Sequence, residues 1–161
     1  MEPQDSSLID DSMLLVSMDI SRIRETISDA KRSVPGARGI NNHMGSKFTA
    51  DPDASSRLAR VLKEEGLFFV DSWTSGDSVA YEAARRAGVP AARNDFFIDN
   101  KNEYDYILAR LEKLASKAAQ RKVTVAIGHV QRKNTARALE EVIPMMKEKG
   151  ITFVSVEDIL Q

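Results

Sequence analysis

The feature that most constrains this chain is an alternation. Short apolar runs recur roughly every thirty residues, and segments whose apolar residues repeat at helical spacing lie between them. The runs at 67–70 (LFFV) and 123–127 (VTVAI) show no polar alternation, as expected of strands covered on both faces. Strand–helix–strand units of this length wind right-handedly into a parallel sheet or barrel, so the class is α/β with repeating βα units. About five strands are too few to close an eight-stranded barrel. The pattern predicts an open parallel sheet or part of an incomplete barrel.

Local punctuation places the elements. Asp19 is read as the cap of a helix carrying Ile20, Ile23, Ile27 and Ala30 on one face, and Pro35-Gly36 ends it. Residues 38–43 read as extended. Asp51-Pro52 opens a helix that Gly66 closes, the strand 67–70 runs into Asp71, and Asp77 or Ser78 starts a helix ended by Gly88-Val89-Pro90. Strands are expected at 91–98, 123–127 and 151–156, with a helix from an Asn102 cap to Gln120 and another over 134–149. Residues 1–18 read as a polar N-terminal extension, because MEPQDSSLIDDS has no periodicity, and 19–161 as one domain.

Composition narrows the partners. Acidic and basic residues nearly cancel, 24 against 23, with no basic block, so nucleic acid is not an expected partner. The absence of cysteine removes thiolate ligands and cysteine nucleophiles, leaving His, Asp and Glu as metal donors. No stretch approaches the roughly 18 apolar residues of a membrane span, and no signal peptide is read in the chain. The dinucleotide, P-loop, zincin and serine-hydrolase motifs are missing.

Parallel α/β folds bind ligands beyond the carboxyl ends of their strands. The residues expected there are His43, Asp71, Asp95 with Asp99, His129 and Glu157. Both histidines of the chain fall in this set, which is suited to a metal site or an acid–base pair. Each residue has a plainer reading as a turn former or helix cap. Asn41, Asn42 and His43 with Gly45 and Ser46 suit a ligand-lined loop at the expense of strand stability. Asp71 either caps the next helix or orients a histidine. Trp73 either packs or stacks on a pyranose ring, and Arg93, next to Asp95, is either a surface ion-pair residue or an orienter of carboxylate.

Four ordered segments carry a resemblance: GINNHMGSKFT (39–49), GLFFVDSWTS (66–75), GVPAARNDFFIDN (88–100) and VAIGHV (125–130). Together they resemble the divergent polysaccharide deacetylases, a bacterial branch of the NodB-type carbohydrate esterases with a distorted, incomplete (β/α) barrel. The resemblance implies hydrolysis of acetyl groups from carbohydrate by a water bound to a divalent metal, zinc being the expected ion. It implies His43 and His129 as metal ligands, His129 and Asp71 as catalytic residues, and Asn41, Asn42, Ser46, Trp73 and Arg93 as contacts to an acetylated amino-sugar polymer or oligomer. In that family a strand ending in paired aspartates precedes a Met-Glu-Pro, the tripeptide at which this sequence opens. The expectation is therefore that these 161 residues lack that pair, that Asp10-Asp11 do not replace it, and that deacetylation by them alone is weak. An uncovered sheet edge would also favour homo-oligomers. Family members are usually exported, while the chain itself carries no address. Asn94 interrupts an expected Arg-Asp pair, Val130 replaces a usual proline, and Trp73 stands where arginine is common. A non-catalytic carbohydrate-binding or structural role and an unrelated small α/β hydrolase remain the alternatives.

Overall fold

The computed structural model describes residues 1–160, which form an α/β fold in two compact units: residues 1–93 with Leu160, and residues 94–159. The first unit contains α1 (Ile20–Ser33), β1 (Gly39–Asn41), α2 (Pro52–Glu65), β2 (Phe68–Asp71), α3 (Ala80–Ala87) and β3 (Ala91–Arg93). Its strands form a parallel sheet in the order β1-β2-β3, with Asn41 opposite Val70 and Asp71 opposite Arg93. All three carboxyl ends therefore lie along one edge.

The caps of α1 and α2 are those the sequence specifies, whereas α3 starts from Val79 and not from Asp77 or Ser78. Asp19 accepts the Arg22 N–H at 2.8 Å and Asp51 accepts that of Ala54 at 2.7 Å, each filling an orphan donor of a first turn. Gly66 ends α2 at φ 66°, a left-handed conformation that glycine adopts without Cβ strain, and its N–H returns to the last carbonyls of the helix. Helices α1, α2 and α3 then bury Ile23, Ile27, Leu58, Val61, Leu62 and Ala84 with Phe69 of the sheet. Each fully buried large side chain contributes about 1.5–3 kcal/mol.

The segment read as a polar extension enters this unit. Leu14 joins the core at 5% exposure, and the buried Glu2 carboxylate accepts from the Val16 N–H and the Lys47 ammonium, both at 2.6 Å.

The second unit contains β4 (Phe96–Phe97), α4 (Tyr104–Ala119), β5 (Ala126–Ile127), α5 (Lys133–Glu148) and a 3-10 turn at Glu157–Ile159. Strands β4 and β5 pair in parallel, and Ile107, Leu111, Ala138 and Met146 pack with Ile98 behind them. Several boundaries differ from expectation. The strand expected over 91–98 is two, β3 and β4, because the buried Asn94 accepts the Phe96 N–H at 3.1 Å through its own side chain and turns the chain. The strand expected over 123–127 is reduced to two residues, since the Val125 N–H goes to the Asp95 carboxylate at 3.1 Å. Residues 151–156 run without a ladder among the described residues, and Glu103 stands at the α4 cap in place of Asn102. No described helix is long and apolar enough to cross a membrane.

Candidate functional site

In the first unit the loops after β1 and β2 are tied to each other. Asn42, 1% exposed, accepts the Ser72 N–H at 2.8 Å and donates to the Met44 carbonyl at 2.8 Å. The Ser72 hydroxyl donates to the Asn42 carbonyl and accepts from the Asn41 amide at 3.1 Å, and Thr74 donates to Met44 O at 3.3 Å. Asn42 and Ser72 thus build the edge, whereas Asn41 and His43 are exposed on it. Ser46 holds the chain near Gln4, accepting its N–H at 3.0 Å. Met44 and Trp73, the two non-glycine residues with left-handed backbone among the described residues, both belong to these loops, at φ 56° and 52°.

Asp71 is fully buried, and its carboxylate serves its own loop. One oxygen accepts the Trp73 N–H at 2.8 Å, and the other accepts the Ser78 hydroxyl at 2.6 Å and the Tyr81 N–H at 3.2 Å. These bonds shape the turn into α3. Arg93, expected beside Asp95, instead lies over the Trp73 ring, 4.3 Å from its centroid.

In the second unit the histidine-orienting carboxylate is Asp99. It follows β4 with no exposed surface and accepts the Nδ1–H of His129 at 2.8 Å, the His129 backbone N–H at 2.7 Å and the Thr135 hydroxyl at 2.7 Å. The Arg132 guanidinium donates to the Asp99 carbonyl. Burial pushes the Asp99 carboxyl up, but the His129 N–H, the Thr135 hydroxyl and the His129 ring outweigh it and hold the group below the ordinary aspartate range. With its proton on Nδ1, neutral His129 has Nε2 as its basic nitrogen. The chain passes close at Gly128, where a Cβ would lie 2.9 Å from the Ile98 side chain and 3.2 Å from that of Thr135, so a larger residue there would make those side chains shift. His129 and Thr135 also line a cleft of about 910 Å³ whose walls include Leu114, Leu139, Met146 and Phe153.

Asp95 and Glu157 are not strand-end residues. Asp95 precedes β4, where it accepts from Arg121 at 2.8 Å and from the Val125 N–H, and Glu157 begins the 3-10 turn. The Asp99–His129 pairing was the relation missed. Its signal was the separation of thirty positions between the ends of two consecutive strands.

Among the described residues no three His, Asp or Glu side chains converge as metal ligands. His43 and His129 belong to different units, and the Asp71 and Asp99 carboxylates hold N–H and O–H donors. These residues alone do not fit the usual set of three protein ligands of a catalytic zinc.

A sequence profile of the divergent polysaccharide deacetylases matches residues 1–160. The chain belongs to that family. It is 36% identical over 140 residues to an uncharacterised protein of Haemophilus influenzae, across 87% of this chain and 50% of that protein. It is 30% identical over 160 residues to the uncharacterised YibQ of Escherichia coli K12, across 99% of this chain and 50% of YibQ. The chain thus spans about half the length of the curated relatives it matches. A crystal structure of an uncharacterised protein from Agrobacterium tumefaciens C58 shares the fold, with a TM-score of 0.91 over 98% of this chain and 65% of that one at 19% identity. Family membership sets aside the unrelated α/β hydrolase.

Proposed function

We propose that this chain takes part in the hydrolytic removal of acetyl groups from carbohydrate, with His129 as its proton-transfer group and Asp99 as the residue that positions it. The observation that supports this reading most is the buried Asp99 carboxylate, which accepts both the ring Nδ1–H and the backbone N–H of His129 at the carboxyl end of paired parallel strands. A carboxylate so placed fixes the tautomer and stabilises the imidazolium. Protonated at Nε2, His129 gives that proton to the leaving nitrogen as the C–N bond breaks. Water supplies the oxygen of the released acetate, and the sugar departs as its amine.

Asn41, Ser46, Trp73 and Arg93 are proposed as sugar contacts, while Asn42 and Asp71, both buried, hold the loops that present them. Zinc is proposed as the family-type cofactor, with His43 as a donor from this chain; His129 is not a second donor, because its Nδ1–H is bonded to Asp99 and its Nε2 carries the transferred proton. So incomplete a ligand set predicts low zinc affinity for the 161 residues alone. The same incomplete set supports a second reading, carbohydrate binding without turnover.

Acetate release from acetylated chito-oligosaccharides separates the two. The catalytic reading expects weak release that His129→Gln lowers at least about a hundredfold, the lower bound for losing an acid–base group. Nitrogen-15 NMR should find His129 protonated at Nδ1, a preference Asp99→Asn weakens. Release unchanged in His129→Gln would remove His129 from the reaction, and sugar binding without any release would favour the second reading.

A further inference from the structure

Two of the proposed sugar contacts, Arg93 and Trp73, form one cluster with Tyr81. Arg93 ends β3 in register with Asp71, and its guanidinium lies 4.3 Å from the centroid of the Trp73 ring and 5.9 Å from that of Tyr81. Asp71 accepts the backbone N–H of both aromatic residues, at 2.8 and 3.2 Å, and so builds the platform on which Arg93 rests. Trp73 is held there with a left-handed backbone, φ 52°, at a cost of about 1–2 kcal/mol. Such strain persists only where surrounding bonds over-determine it.

A second stacked arginine supplies the contrast. Arg110 lies 3.6 Å from the centroid of Phe96, and its N–H groups are spent on the Phe97 carbonyl at 3.0 and 2.7 Å, so that stack ties an element down. Arg93 is exposed and has neither an ion pair nor a hydrogen-bond acceptor among the described residues. Asp71, its register neighbour, has its oxygens occupied by its own loop. An aromatic stack engages the face of a guanidinium and leaves the N–H groups in its plane, a fork that matches a carboxylate bidentately with less ordering cost than a flexible cation.

We propose that Arg93 is a specificity residue that reads a carboxylate on the sugar, so that the edge beside Trp73 prefers acidic carbohydrate of the uronic-acid type over neutral chains. The proposal rests on the carbohydrate reading above and adds the charge of the ligand. At neutral pH such a sugar is anionic and Arg93 is always cationic, so the preference is strongest at low ionic strength.

Trp73 is the only tryptophan in the chain, so its fluorescence reports on this edge directly. Tetragalacturonate and chitotetraose are titrated at low and at physiological salt into the wild type, Arg93→Gln and Arg93→Lys, with calorimetry as a second readout and circular dichroism to verify folding. The wild type should bind tetragalacturonate at least tenfold more tightly than chitotetraose. Arg93→Gln should weaken tetragalacturonate binding far more than chitotetraose binding and so remove that difference, and Arg93→Lys should restore only part of it. Equal affinities in the wild type would overturn the proposal and leave carbohydrate binding standing. An acidic preference that survives in Arg93→Gln would overturn the role of Arg93. No signal or heat with either sugar would overturn this proposal together with the carbohydrate reading beneath it.

Discussion

A carboxylate with no exposed surface is stable only if donors surround it, and Asp99 has the His129 N–H, the His129 ring and the Thr135 hydroxyl. Asp99→Asn replaces one acceptor oxygen with an NH2 that faces other donors, so it should destabilise by about 2–3 kcal/mol at neutral pH, measured by urea unfolding. The folded-state carboxyl lies below its unfolded value. Its contribution is therefore fully present above the ordinary carboxylate range, about pH 4, and is lost as pH falls through the lower folded value. The gap between wild type and Asp99→Asn should accordingly narrow on acidification through that window. A gap that widened as pH fell would contradict the assignment. At this scale the two histidines were legible as candidates because strand ends are where ligands bind, but the partner of His129 was not. Asp71 and Asp99 both follow apolar runs, and only the three-dimensional placement of Ser78, Tyr81 and Thr135 decides that one serves a loop and the other a histidine.

Helices were read more accurately than strands, for a local reason. A cap or a left-handed glycine acts within a few residues, so Asp19, Asp51, Gly66 and Gly88 mark their boundaries in the sequence itself. Asp51→Ala should cost about 1 kcal/mol and lower the melting temperature of the chain, because the Ala54 N–H it satisfies has no substitute within α2. An unchanged melting temperature would mean that water replaces the cap without penalty. Strand length depends on what the neighbouring chain offers. Asn94 and Asp95 use side chains where a ladder would use backbone, and they cut the run at 91–98 into β3 and β4 and shorten β5, with nothing in the apolar pattern to announce it. The run at 151–156 is apolar enough for a strand, yet Phe153 and Val154 are 45% and 57% exposed without a ladder partner among the described residues.

Across the whole molecule, the α/β class was legible because alternating periodicities are a global pattern, whereas the division between Arg93 and Asn94 was not, since no linker composition marks it. The two units hold cores of different depth. Fourteen buried apolar residues cluster in the first and five in the second, among the described residues. Cooperative opening costs least where the least apolar surface is packed, so amide hydrogen exchange should sort the chain into two classes. The amides of α2 and β2 should exchange only near the global unfolding free energy, and those of α5 and of His129 at a lower one. Uniform protection across both would show that the chain opens as one. With two classes, the hydrogen bonds that fix the imidazole break in sub-global openings that leave Phe69 and Leu62 protected, and on warming the geometry of the proposed proton-transfer group is lost before the fold is.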